Sequence, residues 1–125
     1  MVLIVEDEAV SRKALQHLLK LYGLDARTAG SAEEAMQILA AGSPPTMALV
    51  DIDLPGMSGI EFVRSAHRLY PGLPCVYMTS ADVLSSQQQT PNSPEPLLHK
   101  PLDIPHLLRL ILKTPGTYRT PSVAQ

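Results

Sequence analysis

Acidic and hydroxyl residues stand where the apolar runs of this chain stop. "VLIV" (residues 2 to 5) leads straight into Glu6 and Asp7, and "MALVDI" (47 to 52) carries Asp51, with Asp53 two residues on and a Leu-Pro-Gly break behind it. "CVYMT" (75 to 79) ends on Thr79, with Ser80 next, and "LLH" (97 to 99) is followed by Lys100 and Pro101. A buried unpaired carboxylate is costly and two close together more so. These acids therefore either reach water at the strand ends or sit beside something positive. Glu6, Asp7 and Asp51 would make an oxygen-rich set for a hard divalent cation, and Mg²⁺ takes a few carboxylates with waters and phosphate oxygens. A carboxylate can attack phosphorus to give an acyl phosphate, and a divalent cation and a lysine ammonium neutralise the charge of the transferring group. A threonine hydroxyl can donate to a phosphoryl oxygen. In this reading Asp51 is the nucleophile, Lys100 and Thr79 contact the phosphoryl group, and the metal lies among Glu6, Asp7 and Asp51.

The elements that must position these groups alternate. "VLIV" is a continuous β-rich run, as expected for a strand covered on both faces. Residues 9 to 22 read as a helix with Val10, Ala14, Leu18 and Tyr22 on one stripe, Leu15 and Leu19 beside it, and Gly23 at its end. "DARTA" (25 to 29) is a weak strand. Ser31 and Glu34 have capping-box spacing ahead of a helix whose apolar face is Ala32, Ala35, Met36, Leu39 and Ala40, stopped by Gly42. A strand over 47 to 52, a helix over 58 to 70 with Ile60, Val63, Ala66, Leu69 and Tyr70, and a strand over 75 to 79 follow. A short fifth strand at 97 to 99 precedes a helix over 104 to 112 with Ile104, Leu107, Leu108 and Ile111 on one face. The pattern predicts an α/β sandwich on a parallel sheet with right-handed crossovers, whose ligands bind beyond the carboxyl ends of the strands. Residues 80 to 96, rich in Gln, Ser and Pro, read as a short or frayed turn and a polar loop where a fourth helix would stand. Residues 114 to 125 read as a Pro/Thr-rich tail or linker after a domain at 1 to 113, which favours a piece of a longer protein.

With 125 residues, 45% of them apolar and 18% charged, the chain suits one domain with one core. A net charge of −2 gives no basic field for nucleic acid or an anionic membrane, and no apolar run is long enough to span a bilayer. The start lacks the basic region and long apolar stretch of a signal peptide, and the lone Cys75 fits a buried thiol in a reducing compartment, so the expected location is cytoplasmic.

The acidic pair in "VLIVEDE", the "DIDLPGMSG" segment, "YMTSA" and "KP" at 100 to 101 resemble, in that order, the receiver domain of two-component response regulators. The resemblance runs from Val2 to about Leu112. It implies a flavodoxin-like, doubly wound five-stranded parallel sheet of order 2-1-3-4-5. It also implies that Asp51 accepts phosphate from a phosphohistidine on a sensor histidine kinase or a histidine phosphotransfer protein. Mg²⁺ would be bound by Asp7, Asp51 and the backbone carbonyl of Asp53, with Glu6 acting through a metal-bound water. Thr79 would be the switch hydroxyl and Lys100 the partner of the phosphoryl group. The "SRKALQHLLKLYG" helix further resembles receivers attached to hybrid sensor kinases. Such a protein catalyses only its own phosphoryl transfer and dephosphorylation.

Three departures bear on signalling. Leu97 stands where the family often has an aromatic switch residue, residues 80 to 96 replace the usual fourth helix, and Asp53 adds a carboxylate beside the site. A monomer, with no activated dimer through the fourth helix and fifth strand, is expected. Plainer readings are Glu8 in the first helical turn, Ser80 as structural, and His17, His67, His99 and His106 as surface or satisfied residues. Two rivals are a phosphatase of the haloacid dehalogenase type and a degenerate receiver serving as an interaction module. The first places its nucleophile on the first strand and its acidic pair late, the reverse of the order here.

Overall fold

Each central strand sends alternate residues to opposite sides, and both sides are apolar. β1 (Val2–Val5), β3 (Met47–Asp51) and β4 (Cys75–Thr79) are buried at every position. Leu3, Val5, Ala48, Val50, Cys75 and Tyr77 face one side; Val2, Ile4, Met47, Leu49, Val76 and Met78 face the other. Strands covered on both faces need helices on both. The computed structural model describes residues 1–80 and 94–113. Of the turn and polar loop expected over residues 80 to 96 in place of a fourth helix, positions 81–93 lie outside the described residues, as does the tail at 114–125.

The remaining elements are α1 (Ala9–Leu21), β2 (Ala26–Ala29), α2 (Ala32–Ala40), α3 (Gly59–Leu69), β5 (Leu97–His99) and α4 (Ile104–Lys113). The sheet is parallel with order β2-β1-β3-β4-β5, as the resemblance implies. α2 and α3 cover the first face through Ala32, Ala35, Ile38, Leu39, Phe62, Val63 and Ala66. Leu19 of α1 and Leu107 and Ile111 of α4 cover the second. Ser31 caps α2 by accepting from the Glu34 N–H, and Ser58 and Glu61 form a full capping box on α3.

Three helical faces differ from the expected stripes. On α1, Val10 and Tyr22 are exposed (76% and 58%), and the inward stripe is Arg12, Leu15, Gln16 and Leu19. Two of those four are polar and end on backbone carbonyls: Arg12 on Glu6 and Asp7, Gln16 on Ala26. Hydrophobic periodicity cannot register inward positions filled by long polar side chains. On α3 the fully buried Phe62 displaces Leu69, which is exposed, and on α2 Ile38 is buried while Ala40 is exposed.

The entry into α3 decides where the end of β3 lies. The Gly59 N–H donates to the Ile52 carbonyl at 3.1 Å, and a Cβ on Gly59 would stand 2.1 Å from the Asp51 carbonyl oxygen. Both partners are backbone, so no side-chain rotation relieves the clash. Gly59→Ala is expected to push α3 off the end of β3 and cost about 1–3 kcal/mol, the usual range for overpacking. Urea denaturation should show a lower midpoint with an unchanged m-value; an unchanged midpoint would contradict this packing.

Candidate functional site

The sheet order makes β1 and β3 neighbours, with Val5 opposite Val50. The next residues on the two strands, Glu6 and Asp51, therefore emerge side by side at the carboxyl edge. Both are buried, at 3% and 5% exposure. Asp7 follows on the exposed lip, and one carboxylate oxygen each from Glu6, Asp7 and Asp51 lie within 4.8 Å of one another. Of the described residues, these form the sole His, Cys, Asp or Glu set so arranged. An all-carboxylate oxygen set fits a hard cation such as Mg²⁺ and fits soft metals poorly.

Lys100, just past β5, reaches across β4 and donates to Glu6 Oε1 at 2.5 Å and to Asp51 Oδ2 at 3.0 Å. Its own backbone N–H is fixed by the Thr79 carbonyl at 2.8 Å, and its peptide bond to Pro101 is cis. The other oxygens of the two acids accept from the backbone: Asp51 Oδ1 from the Asp53 N–H at 2.8 Å, Glu6 Oε2 from the Glu8 N–H at 3.1 Å. The mutual repulsion of the acids is thus partly offset by one ammonium and two peptide N–H groups. Burial pushes the Glu6 carboxyl above its ordinary value; hydrogen bonds from Lys100 and from the Glu8 N–H oppose the shift without cancelling it. For Lys100, burial pulls downward, but the bonds to Glu6 and Asp51 outweigh it and the ammonium is held above its ordinary value.

Thr79, buried at the end of β4, donates its hydroxyl to Asp53 Oδ2 at 3.3 Å. Asp53 is itself exposed, and its carboxylate turns back to the site rim through that bond. All the singled-out residues, Glu6, Asp7, Asp51, Asp53, Thr79 and Lys100, therefore meet at one edge of the sheet. One plainer reading is corrected: Glu8 lies at the N-cap of α1, ahead of the first helical turn expected for it, and accepts from the Ser11 hydroxyl; His67 is satisfied, with Nε2 3.0 Å from the Leu73 carbonyl. Cys75 is buried, and burial followed by the Glu95 charge pushes its thiol up to about 12.

Two contributors escaped the sequence reading. Gly59 lies under Asp51; its signal, a glycine directly after a helix-capping serine, is common in loops. Arg12 holds the loop after β1, and nothing in its helical pattern marks it. Beside the site, Ser11, Ala14, Leu15, Leu18, Pro101 and Ile104 line a groove of about 300 Å³ between α1 and the segment leading into α4, with Glu6 and Lys100 at its end. Among the described residues, no helix is long and apolar enough to cross a membrane.

Comparison with known proteins agrees with this geometry. The response regulator receiver domain family matches residues 2–112. The transcriptional activator protein ExaE of Pseudomonas putida is 36% identical over 90 residues, which are 70% of this chain and 42% of that protein. The aerobic respiration control sensor protein ArcB of Escherichia coli is 30% identical over 115 residues, 90% of this chain and 15% of that protein. The chain thus spans less than half the length of either relative. A response regulator receiver protein of Pseudomonas putida, solved by crystallography, superposes with a TM-score of 0.76 at 30% identity, covering 90% of this chain and 94% of the other.

The charge arrangement sets a pH dependence. A carboxyl whose folded value is raised disfavours folding once it ionises, so stability contributed by neutral Glu6 is present below 4.5 and lost as pH rises to its folded value. Removing the ammonium with Lys100→Met extends that window upward. The variant is expected to lose about 1–3 kcal/mol at neutral pH. Urea denaturation at about pH 5 and about pH 7.5 should show the deficit growing with pH; a deficit constant across that range would contradict the contacts assigned to Lys100.

Proposed function

Because the chain belongs to the response regulator receiver domain family, we propose that it serves as the phosphoacceptor of a two-component relay, with Asp51 taking the phosphoryl group. The observation that carries this reading is the buried Asp51 carboxylate, with Lys100 at 3.0 Å and one oxygen each of Glu6 and Asp7 within 4.8 Å of it. The donor is a phosphohistidine of a sensor histidine kinase or histidine phosphotransfer protein. One Asp51 oxygen forms a bond to phosphorus as the phosphorus–nitrogen bond breaks, and the departing imidazole nitrogen keeps the electron pair. The product is an acyl phosphate on Asp51.

Asp7, Asp51 and the Asp53 carbonyl would hold Mg²⁺, with Glu6 acting through water. The bound cation would supply charge neutralisation for the phosphoryl oxygens. Lys100 exchanges its bond to Asp51 Oδ2 for a bond to a phosphoryl oxygen, and it stays charged because its proton is tightly held. Thr79 gives up Asp53 and donates to another phosphoryl oxygen, which moves the β4 end. The apolar groove between α1 and the entry to α4 suits one helix of the phosphodonor, since it runs directly to Glu6 and Lys100. The functional unit covers residues 1–113, acts as a monomer in the cytoplasm, and makes no nucleic-acid contact.

Incubation with acetyl phosphate and Mg²⁺ should add one phosphoryl group by intact mass, absent in Asp51→Asn and without the metal. Equal labelling of Asp51→Asn would overturn the assignment. Mg²⁺ should also raise the melting temperature by mass action, contributing about 2.7 kcal/mol at about a hundred times the dissociation constant. Asp7→Asn should weaken that response and raise the melting temperature of the metal-free protein, since it removes one of three crowded charges. A native protein indifferent to Mg²⁺ would count against the metal site.

A further inference from the structure

The geometry points to Arg12 as a positioning residue: its guanidinium fixes the backbone of the Glu6–Asp7 loop and thereby aims the Asp7 carboxylate at the cation position. This inference rests on the reading of the acidic cluster as a Mg²⁺ site. One nitrogen, Nη1, donates to the Glu6 carbonyl at 2.9 Å and to the Asp7 carbonyl at 3.2 Å. The side chain comes from the inward stripe of α1, so it spans from the helix back to the loop that opens it. Its own N–H donates to the Glu8 carbonyl at 2.9 Å, closing the same loop from the other end. Nη1 also lies against Gly30, where a Cβ would stand 3.1 Å from it. Gly30 is in turn fixed by its N–H, which donates to Glu34 Oε1 at 2.7 Å.

The consequence falls on Asp7. Glu6 has Lys100 and the Glu8 N–H, and Asp51 has Lys100 and the Asp53 N–H. Among the described residues, no hydrogen bond or ion pair holds the Asp7 carboxylate. Its direction is therefore set by the backbone that carries it, and Arg12 sets that backbone. Groups that orient a metal-binding carboxylate commonly change metal affinity strongly when removed. A guanidinium is suited to the task, being planar, permanently charged and rich in donors.

Gln16 provides the internal control. It occupies the same stripe one turn on and donates to the Ala26 carbonyl at 3.0 Å, away from the acids. The experiment is a Mg²⁺ titration followed by melting temperature on wild type, Arg12→Met, Arg12→Lys and Gln16→Met, reading the dissociation constant rather than the starting temperature. Arg12→Met is expected to weaken Mg²⁺ binding about tenfold. Arg12→Lys should recover part of the loss, and Gln16→Met should lower stability without changing the dissociation constant. An Arg12→Met constant equal to wild type, or an equal loss in Gln16→Met, overturns the positioning role while leaving the metal site intact. If Arg12→Met does not fold, Arg12→Gln and Arg12→Lys carry the same comparison. A wild type without any Mg²⁺ response overturns the site and the inference together.

Discussion

Two buried carboxylates sharing one ammonium constrain this molecule more than any other contact. Glu6 and Asp51 stand buried side by side at the sheet edge, where two carboxylates need a positive partner, and Lys100 donates to both. That contact requires β1 beside β3 and β5 within a lysine's length of both, a condition the order β2-β1-β3-β4-β5 meets. The charges and the topology are therefore one problem. The sheet places the acids together, and the same sheet brings the cation that lets them stay.

The site is held from beneath as well as across. Gly59 lets α3 begin against the Asp51 carbonyl, and the capping box of Ser58 and Glu61 fixes the start of that helix. A further tie runs from α2, where Glu33 Oε2 accepts from the Met57 N–H at 3.3 Å in the loop between β3 and α3. On the other side Arg12 bridges two carbonyls of the loop after β1. The acids thus stand where two strands open into loops, each loop tied to the helix that follows it. Such ties leave the side chains room to exchange partners while the backbone stays fixed, which is what the proposed exchange of a lysine for a phosphoryl group at Asp51 would require.

Thr79 and Asp53 add a second, weaker pairing at the rim. Asp53 could have been a solvated loop acid; its bond to Thr79 instead makes it part of the site's hydrogen-bond pattern. The hydroxyl that the resemblance assigns to switching is thereby engaged by a carboxylate. In the proposed phosphorylated state a phosphoryl oxygen would compete with Asp53 for that donor, so the side chain two residues beyond Asp51 would weigh directly on the balance between the two arrangements.

The sequence by itself determined the fold class, the strand sequence and the identity of the acids, the hydroxyl and the lysine. Short, β-rich apolar runs alternating with helical patterns read as strands covered on both faces, and polar residues at their carboxyl ends gather at one edge once the strands are parallel. It did not determine the inward face of α1, because Arg12 and Gln16 fill inward positions and break the apolar period that would reveal it. Nor did it reveal why Gly59 must be a glycine, since the atom it avoids belongs to a residue on another element. It also left open whether the acids stood unpaired without a metal; only the fold brought Lys100 from 49 residues away to Asp51. In each case the deciding partner is distant along the chain. Local pattern records what a residue prefers, and tertiary structure decides what it meets.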